Sequence, residues 1–172
     1  MKALLVIDML NDFILDDGKL TNGQAGQDIV DFCRQKIDEY RQEGHKIVFI
    51  CDNHEEDDKE FDMFPKHCVA GSPGSQVIDA LDRRPEDKLI YKRRYSAFFG
   101  TELDLYLREK VISELSIVGV CTNICVLYTT ADARNLVYDV NIYEKGVASF
   151  DKEAHDFALK EMGTTLGARI IK

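Results

Sequence analysis

The sequence predicts an α/β protein: a single-domain, doubly wound, mainly parallel six-stranded sheet with helices on both faces. Three observations predict it. Short continuous apolar runs, such as Lys2-Ala-Leu-Leu-Val-Ile-Asp8 and Lys46-Ile-Val-Phe-Ile-Cys51, have the look of strands buried on both sides. Between them lie stretches with apolar residues at helical spacing. Strands and helices alternate along the chain, without internal repeats, low-complexity tracts or a linker, which is the pattern of βαβ units. At 172 residues the chain can bury a sizeable core as one domain, residues 1–172.

The first strand ends at Asp8, and Asp12-Phe13 with the Asp16-Asp17-Gly18 turn follow as a loop. Gln27 to Glu43 carries apolar residues at 29, 30, 32, 33, 37 and 40, a helical face, and Gly44 ends it. The second strand closes at Asp52. Asn53 to Gly74 is irregular and acidic, then holds Phe64-Pro-Lys-His-Cys68 and a Gly-Ser-Pro-Gly turn. Ser75 to Leu81 is expected as a short helix, Lys88 to Tyr91 as a third strand ending at Lys92, and Thr101 to Lys110 as a helix. An apolar run from about Val111 to Val118, interrupted by Ser113, Glu114 and Ser116, makes the fourth strand. Gly119 breaks it, Thr122 or Asn123 offers an oxygen to cap a helix, and Val126 to Leu136 returns to helical spacing. Val140 to Tyr143 is a fifth strand, followed by Gly146-Val-Ala-Ser. Lys152 to Met162 is a last helix and Ala168 to Ile171 a sixth strand.

Cys125 falls in the first helical turn after the fourth strand. A thiol there sits beside unpaired backbone N–H groups and the positive end of the helix dipole, and both favour the nucleophilic thiolate. The other four cysteines form no CxxC, and no apolar run reaches membrane length. No leader pattern is visible, so free thiols in a reducing cytoplasm are expected. A net charge of −9 argues against nucleic acid or an anionic membrane as partner.

In open parallel sheets, ligands bind just beyond the carboxyl ends of the strands. Asp8 follows the first strand, Asp52 and His54 the second, Lys92 the third, Cys121 and Cys125 the fourth. Taken singly, each has a plain reading: Asp8 as a turn acid, Lys92 beside Arg93 and Arg94 as a solvated charge run, Cys121 as a small buried hydrophobe. Four consecutive strands bringing a nucleophile, a cation and acids to one edge are harder to dismiss. Asp52 and His54, two apart at a strand end, project to one side, and His67 arrives from the following loop. Carboxylate and imidazole without thiolate suit zinc, iron or manganese.

These residues carry a resemblance. Val6-Ile-Asp-Met-Leu-Asn-Asp-Phe13, Asp52-Asn-His54, Phe64-Pro-Lys-His-Cys-Val69 with Gly71-Ser-Pro-Gly74, Lys92-Arg-Arg-Tyr-Ser-Ala-Phe98 and Gly119-Val-Cys-Thr-Asn-Ile-Cys-Val126 resemble, in order, the isochorismatase-like cysteine hydrolases. The Asp-x-His and Pro-x-His-Cys pieces point within that superfamily to the nicotinamidase branch. The resemblance implies a triad of Asp8 as proton acceptor, Lys92 as counter-charge and Cys125 as nucleophile. It implies an oxyanion hole from the backbone N–H groups of Cys121 and Cys125, after a cis Val120–Cys121 peptide. It implies one divalent metal ion, zinc first and iron or manganese next, on Asp52, His54 and His67, with Glu60 as a candidate fourth ligand. Phe13 and Phe64 would flank a substrate ring, with Tyr95 lining the same pocket. Nicotinamide hydrolysis to nicotinate and ammonia, a small neutral amide as substrate and a homo-oligomeric state follow as expectations. Another small-amide or ureido hydrolase on the same triad is the nearest alternative, and a non-enzymatic thiol or metal-binding protein a more distant one.

Overall fold

A computed structural model describes residues 1–172. Six strands, β1 (Lys2–Ile7), β2 (Lys46–Asp52), β3 (Lys88–Lys92), β4 (Glu114–Val120), β5 (Asp139–Ala148) and β6 (Arg169–Ile171), form one sheet. All are parallel, in the order β3-β2-β1-β4-β5-β6. The chain winds outward from β1 to β3, returns to β4 beside β1, and winds out the other way. The strand order therefore reverses between β1 and β4, where such sheets open a crevice at their carboxyl ends.

Side chains alternate across the sheet, so each central strand feeds two cores. Leu4 and Val6 of β1 face one core with Cys33, Ile37 and Tyr40 of α3 (Val30–Gln42). Leu5 and Ile7 face the other with Leu103 and Leu107 of α4 (Leu103–Glu109), Ala133 of α5 (Leu127–Asn135), and Leu159 and Met162 of α6 (Lys152–Thr164). α1 (Asn11–Ile14) and α2 (Gly23–Asp28) lie on the α3 side.

Several elements differ from the sequence expectation. The predicted 27–43 helix divides at Ile29 into α2 and α3, and α2 begins earlier, at Gly23. Gly26 allows this: a Cβ there would lie 2.9 Å from the Asn22 Cβ and 3.3 Å from Ile14 Cδ1. The Asp12-Phe13 loop is instead the single helical turn α1. Ser75 to Leu81 is not one continuous helix but is flanked by two 3-10 turns, Pro73–Ser75 and Asp79–Leu81, because the backbone between them is engaged elsewhere: the Gln76 carbonyl accepts from the Asn11 N–H and the Ile78 N–H donates to the Met9 carbonyl. Val111 stands outside β4, exposed and at φ +53°, so the strand starts at Glu114. β5 runs on through Gly146-Val-Ala148, pairing Val147 with Gly119 and Ala148 with Val120. Ser116, polar inside an apolar run, is buried and accepts the Tyr40 hydroxyl at 2.6 Å.

Candidate active site

The end of β4 decides where the site forms. Gly119 adopts φ +121°, and a Cβ on it would lie 1.9 Å from the Ile7 carbonyl oxygen, so only glycine lets β4 run this close to β1. The Val120–Cys121 peptide is cis, as the resemblance implies. A wide π-helical turn, Thr122–Val126, then leads into α5 and carries Cys125. Neither Thr122 nor Asn123 caps it. The Thr122 hydroxyl pairs with His155 Nδ1 at 2.8 Å, and Asn123 Oδ1 accepts from the Ser149 hydroxyl at 2.6 Å. Those two ties fasten the turn to the β5–α6 connection instead. The Cys121 N–H donates to no carbonyl of the chain.

Asp8 leaves β1 in the left-handed region (φ +53°), which Asp tolerates better than most residues. Its Oδ1 accepts from the Asp52 N–H at 2.9 Å, and its Oδ2 lies 2.8 Å from Lys92 Nζ. Lys92 Nζ also donates to Asp52 Oδ1 at 2.5 Å and to Cys125 Sγ at 3.3 Å. All four side chains are buried. One ammonium thus touches two carboxylates and one sulfur, and the potential ligand atoms of Asp8, Asp52 and Cys125 lie within 4.8 Å of one another.

The electrostatics oppose one sequence expectation. Burial pushes the Cys125 thiol well above its ordinary value, and the Lys92 ammonium only partly offsets this. Burial, with Asp52 adding to it, pushes the Asp8 carboxyl up to about 6, against the opposing pull of Lys92. Lys92 is held well above its ordinary value because Asp52 and Asp8 outweigh the burial that opposes its charge. A basic group and a proton donor therefore face each other across a permanent cation.

Asp52 joins this cluster to a second one. Its Oδ2 lies 3.6 Å from His54 Nε2 and 3.9 Å from His67 Nε2, and all three residues are buried. Each imidazole engages its other nitrogen: His54 Nδ1 with Asp58 Oδ2 at 3.0 Å, His67 Nδ1 with the Pro65 carbonyl at 2.7 Å. His54 Nε2 is buried with no hydrogen-bond partner in the chain. An orphaned imidazole nitrogen, a second one beside it and a shared carboxylate are a donor set that fits zinc, iron or manganese. Glu60 Oε1 approaches His54 Nε2 to 3.9 Å from a short 3-10 turn, Lys59–Asp62, on the same side. Cys68 does not join them; its N–H donates to Asp12 Oδ2 at 2.7 Å and its thiol to the Gly74 carbonyl.

Cys125, Asp8, Asp52, His67 and Glu60 line one pocket together with Phe13, Phe64 and Tyr95. Phe13 and Phe64 stand against His67, with ring centroids 5.3 Å and 6.4 Å away. Lys92 and His54 are not part of that lining and lie beside Asp52, at 2.5 Å and 3.6 Å from its carboxylate. Sequence reasoning missed Leu20, Val120, Ile124 and Phe150, which complete the apolar wall. It also missed three supports: Asp12, which holds the Cys68 backbone next to His67; Asn22, whose Oδ1 accepts the Cys121 thiol at 3.1 Å; and Asp58. Asp12 sat in a quoted stretch and Asp58 in the acidic segment 53–74, but neither carried a signal separating it from ordinary surface acids.

The chain is 38% identical to the isochorismatase family protein PncA of Bacillus subtilis, over 98% of each chain. Its structure is similar to the pyrazinamidase/nicotinamidase of Streptococcus mutans, with TM-score 0.94 and 39% identity over 99% of this chain and 100% of that one. It is similar also to the pyrazinamidase of Pyrococcus horikoshii solved in complex with zinc, with TM-score 0.93 and 30% identity over 99% and 98%. Residues 2–172 match the family described as the Isochorismatase domain, and the chain belongs to that family of hydrolases.

Proposed function

We propose that the protein is a nicotinamidase-type amidohydrolase, converting nicotinamide to nicotinate and ammonia through a thioester on Cys125. The observation that carries this reading is the pocket itself. A buried thiol with its base and counter-charge stands at one side, an Asp-His-His ligand set at the other, and Asp52 belongs to both. The walls between are largely apolar and include Phe13 and Phe64, which suits a flat aromatic ring.

Asp8 takes the Cys125 proton as the sulfur attacks the amide carbonyl, and Lys92 stabilises the sulfur anion at 3.3 Å. The carbonyl oxygen becomes an oxyanion within reach of the Cys121 and Cys125 N–H groups. As the C–N bond breaks, Asp8 passes its proton to the departing nitrogen, which leaves as ammonia. A water then gives a proton to Asp8 and its oxygen to the thioester carbon. The C–S bond breaks, nicotinate forms, and the sulfur recovers its proton. Asp52, His54 and His67, with Glu60 beside them, would hold the metal ion. When bound, the ion supplies a Lewis-acidic contact for the ring nitrogen, directly or through a water, and so orients the ring.

The nearest competitor is hydrolysis of a carbamoyl or ureido acid on the same triad. Such substrates bring a carboxylate, yet the pocket lining holds no arginine to receive it, and Lys92 is already committed. A neutral amide needs no such partner. Ammonia release from nicotinamide, pyrazinamide, benzamide and an N-carbamoyl amino acid tests the choice. Nicotinamide and pyrazinamide should exceed the other two in kcat/KM by at least about tenfold, roughly 1.4 kcal/mol of transition-state binding. Equal rates on all four would overturn the reading.

A further inference from the structure

The acidic stretch Glu55-Glu-Asp-Asp58 reads in sequence as a solvated run, and Glu55, Glu56 and Asp57 are indeed exposed. Asp58 is not. Its side chain is only 5% exposed and three groups converge on it. His54 Nδ1 lies 3.0 Å from Oδ2, the Glu60 N–H donates to Oδ1 at 2.9 Å, and Arg94 Nη1 reaches both oxygens at 3.0 Å and 3.1 Å. Arg94 lies two residues beyond Lys92, so this cluster also ties the end of β3 to the loop that carries Glu60. His67 has no such partner; its Nδ1 meets a neutral peptide carbonyl.

We propose that Asp58, itself held by Arg94, is the positioning residue of the metal site. By accepting the His54 Nδ1–H it selects the tautomer whose lone pair is on Nε2, aims that ring toward Asp52 Oδ2 and makes Nε2 a better electron donor. Carboxylates behind ligating imidazoles act in this way, and losing one typically weakens metal affinity by roughly 10–100-fold. The inference rests on the metal reading given above and adds to it the residue that sets the strength of the site.

Zinc affinity of the whole protein, measured by competition with a chromophoric chelator, tests it in wild type and in Asp58→Asn. The asparagine keeps the shape and can still accept the Glu60 N–H, but removes the charge behind His54. The expected result is at least about a tenfold loss of zinc affinity, with metal-free Asp58→Asn still folded by circular dichroism as metal-free wild type is. A smaller loss, with wild type binding zinc, overturns the role of Asp58 and leaves the metal site standing. Wild type that binds no zinc overturns the metal reading itself. Should Asp58→Asn not fold, long-range proton–nitrogen spectra of zinc-loaded wild type decide instead. A proton on His54 Nδ1 with the metal on Nε2 supports the proposal, and the reverse arrangement overturns it.

Discussion

Lys92 is the residue on which the site's charge balance turns. Its ammonium meets Asp8, Asp52 and Cys125 within 2.5–3.3 Å, and with the side chain fully buried it has no solvent to fall back on. Two buried carboxylates around one buried cation leave a net negative charge, which suits the metal ion proposed for the adjoining ligand set. In the proposed reaction Asp8 takes the thiol proton, so turnover requires Asp8 ionised. Cys125→Ala should reduce the hydrolysis rate by on the order of 10³-fold or more, and Asp8→Asn by on the order of 10²–10⁴-fold, in steady-state assays of ammonia release. Residual activity of a few per cent in Cys125→Ala would remove the nucleophile. The pH profile carries the same information. The Asp8 carboxyl is pushed up to about 6, so kcat/KM should rise with pH as that proton is lost. A cation on Asp52 weakens the upward push, so the acid limb should lie at or below about pH 6. An acid limb that survives unchanged in an Asp8→Asn variant with remaining activity would contradict the assignment.

At the scale of elements, the β4 turn is held by close approach rather than by caps. Gly119 has the clearest stake in it. Gly119→Ala forces a Cβ against the Ile7 backbone at a positive φ and should cost about 3 kcal/mol or more of stability in urea unfolding, since neither strand can move without opening the sheet. A cost below about 1 kcal/mol would mean that the strands have room the structure does not show. Tyr40→Phe is a milder probe of the far side: it strips Ser116 of a buried 2.6 Å partner and should cost about 1–2 kcal/mol while leaving the pocket intact. The strands were readable because apolar runs buried on both faces have no other explanation in a chain of this length. The helix boundaries were less readable where tertiary contacts override local pattern. Ile29 breaks a periodic run, Gln76 lends its carbonyl to Asn11 rather than to a helix, and Asn123 turns to Ser149 rather than capping. The thiolate expectation meets an opposing influence of a similar kind: the helix start is local and visible in sequence, whereas the burial that pushes the Cys125 thiol up is not.

The whole molecule brings chemistry together through topology. Strands β1 to β4 lie side by side in the sheet as β3-β2-β1-β4, so residues separated by more than a hundred positions become neighbours at one edge. Motif order made that convergence visible from sequence. What it could not show was that Asp52 serves both clusters, or that an acid within a surface run, Asp58, is turned inward. A metal ion bound across β2 and the following loop should stabilise the fold by mass action. At zinc concentrations about 100-fold above Kd the gain is about 2.7 kcal/mol, which for a chain of this size raises Tm by about 5–10 °C. A melting temperature indifferent to zinc and to chelation would argue against the site.

The central claim is that the Cys125 sulfur, rather than a metal-activated water, attacks the amide. Acid quench during turnover of nicotinamide, followed by peptide mass spectrometry, tests it most directly. One nicotinoyl group on the peptide carrying Cys125, absent in Asp8→Asn, is the predicted result. Ammonia released with no acylated cysteine at any quench time, or acylation confined to another residue, would contradict it.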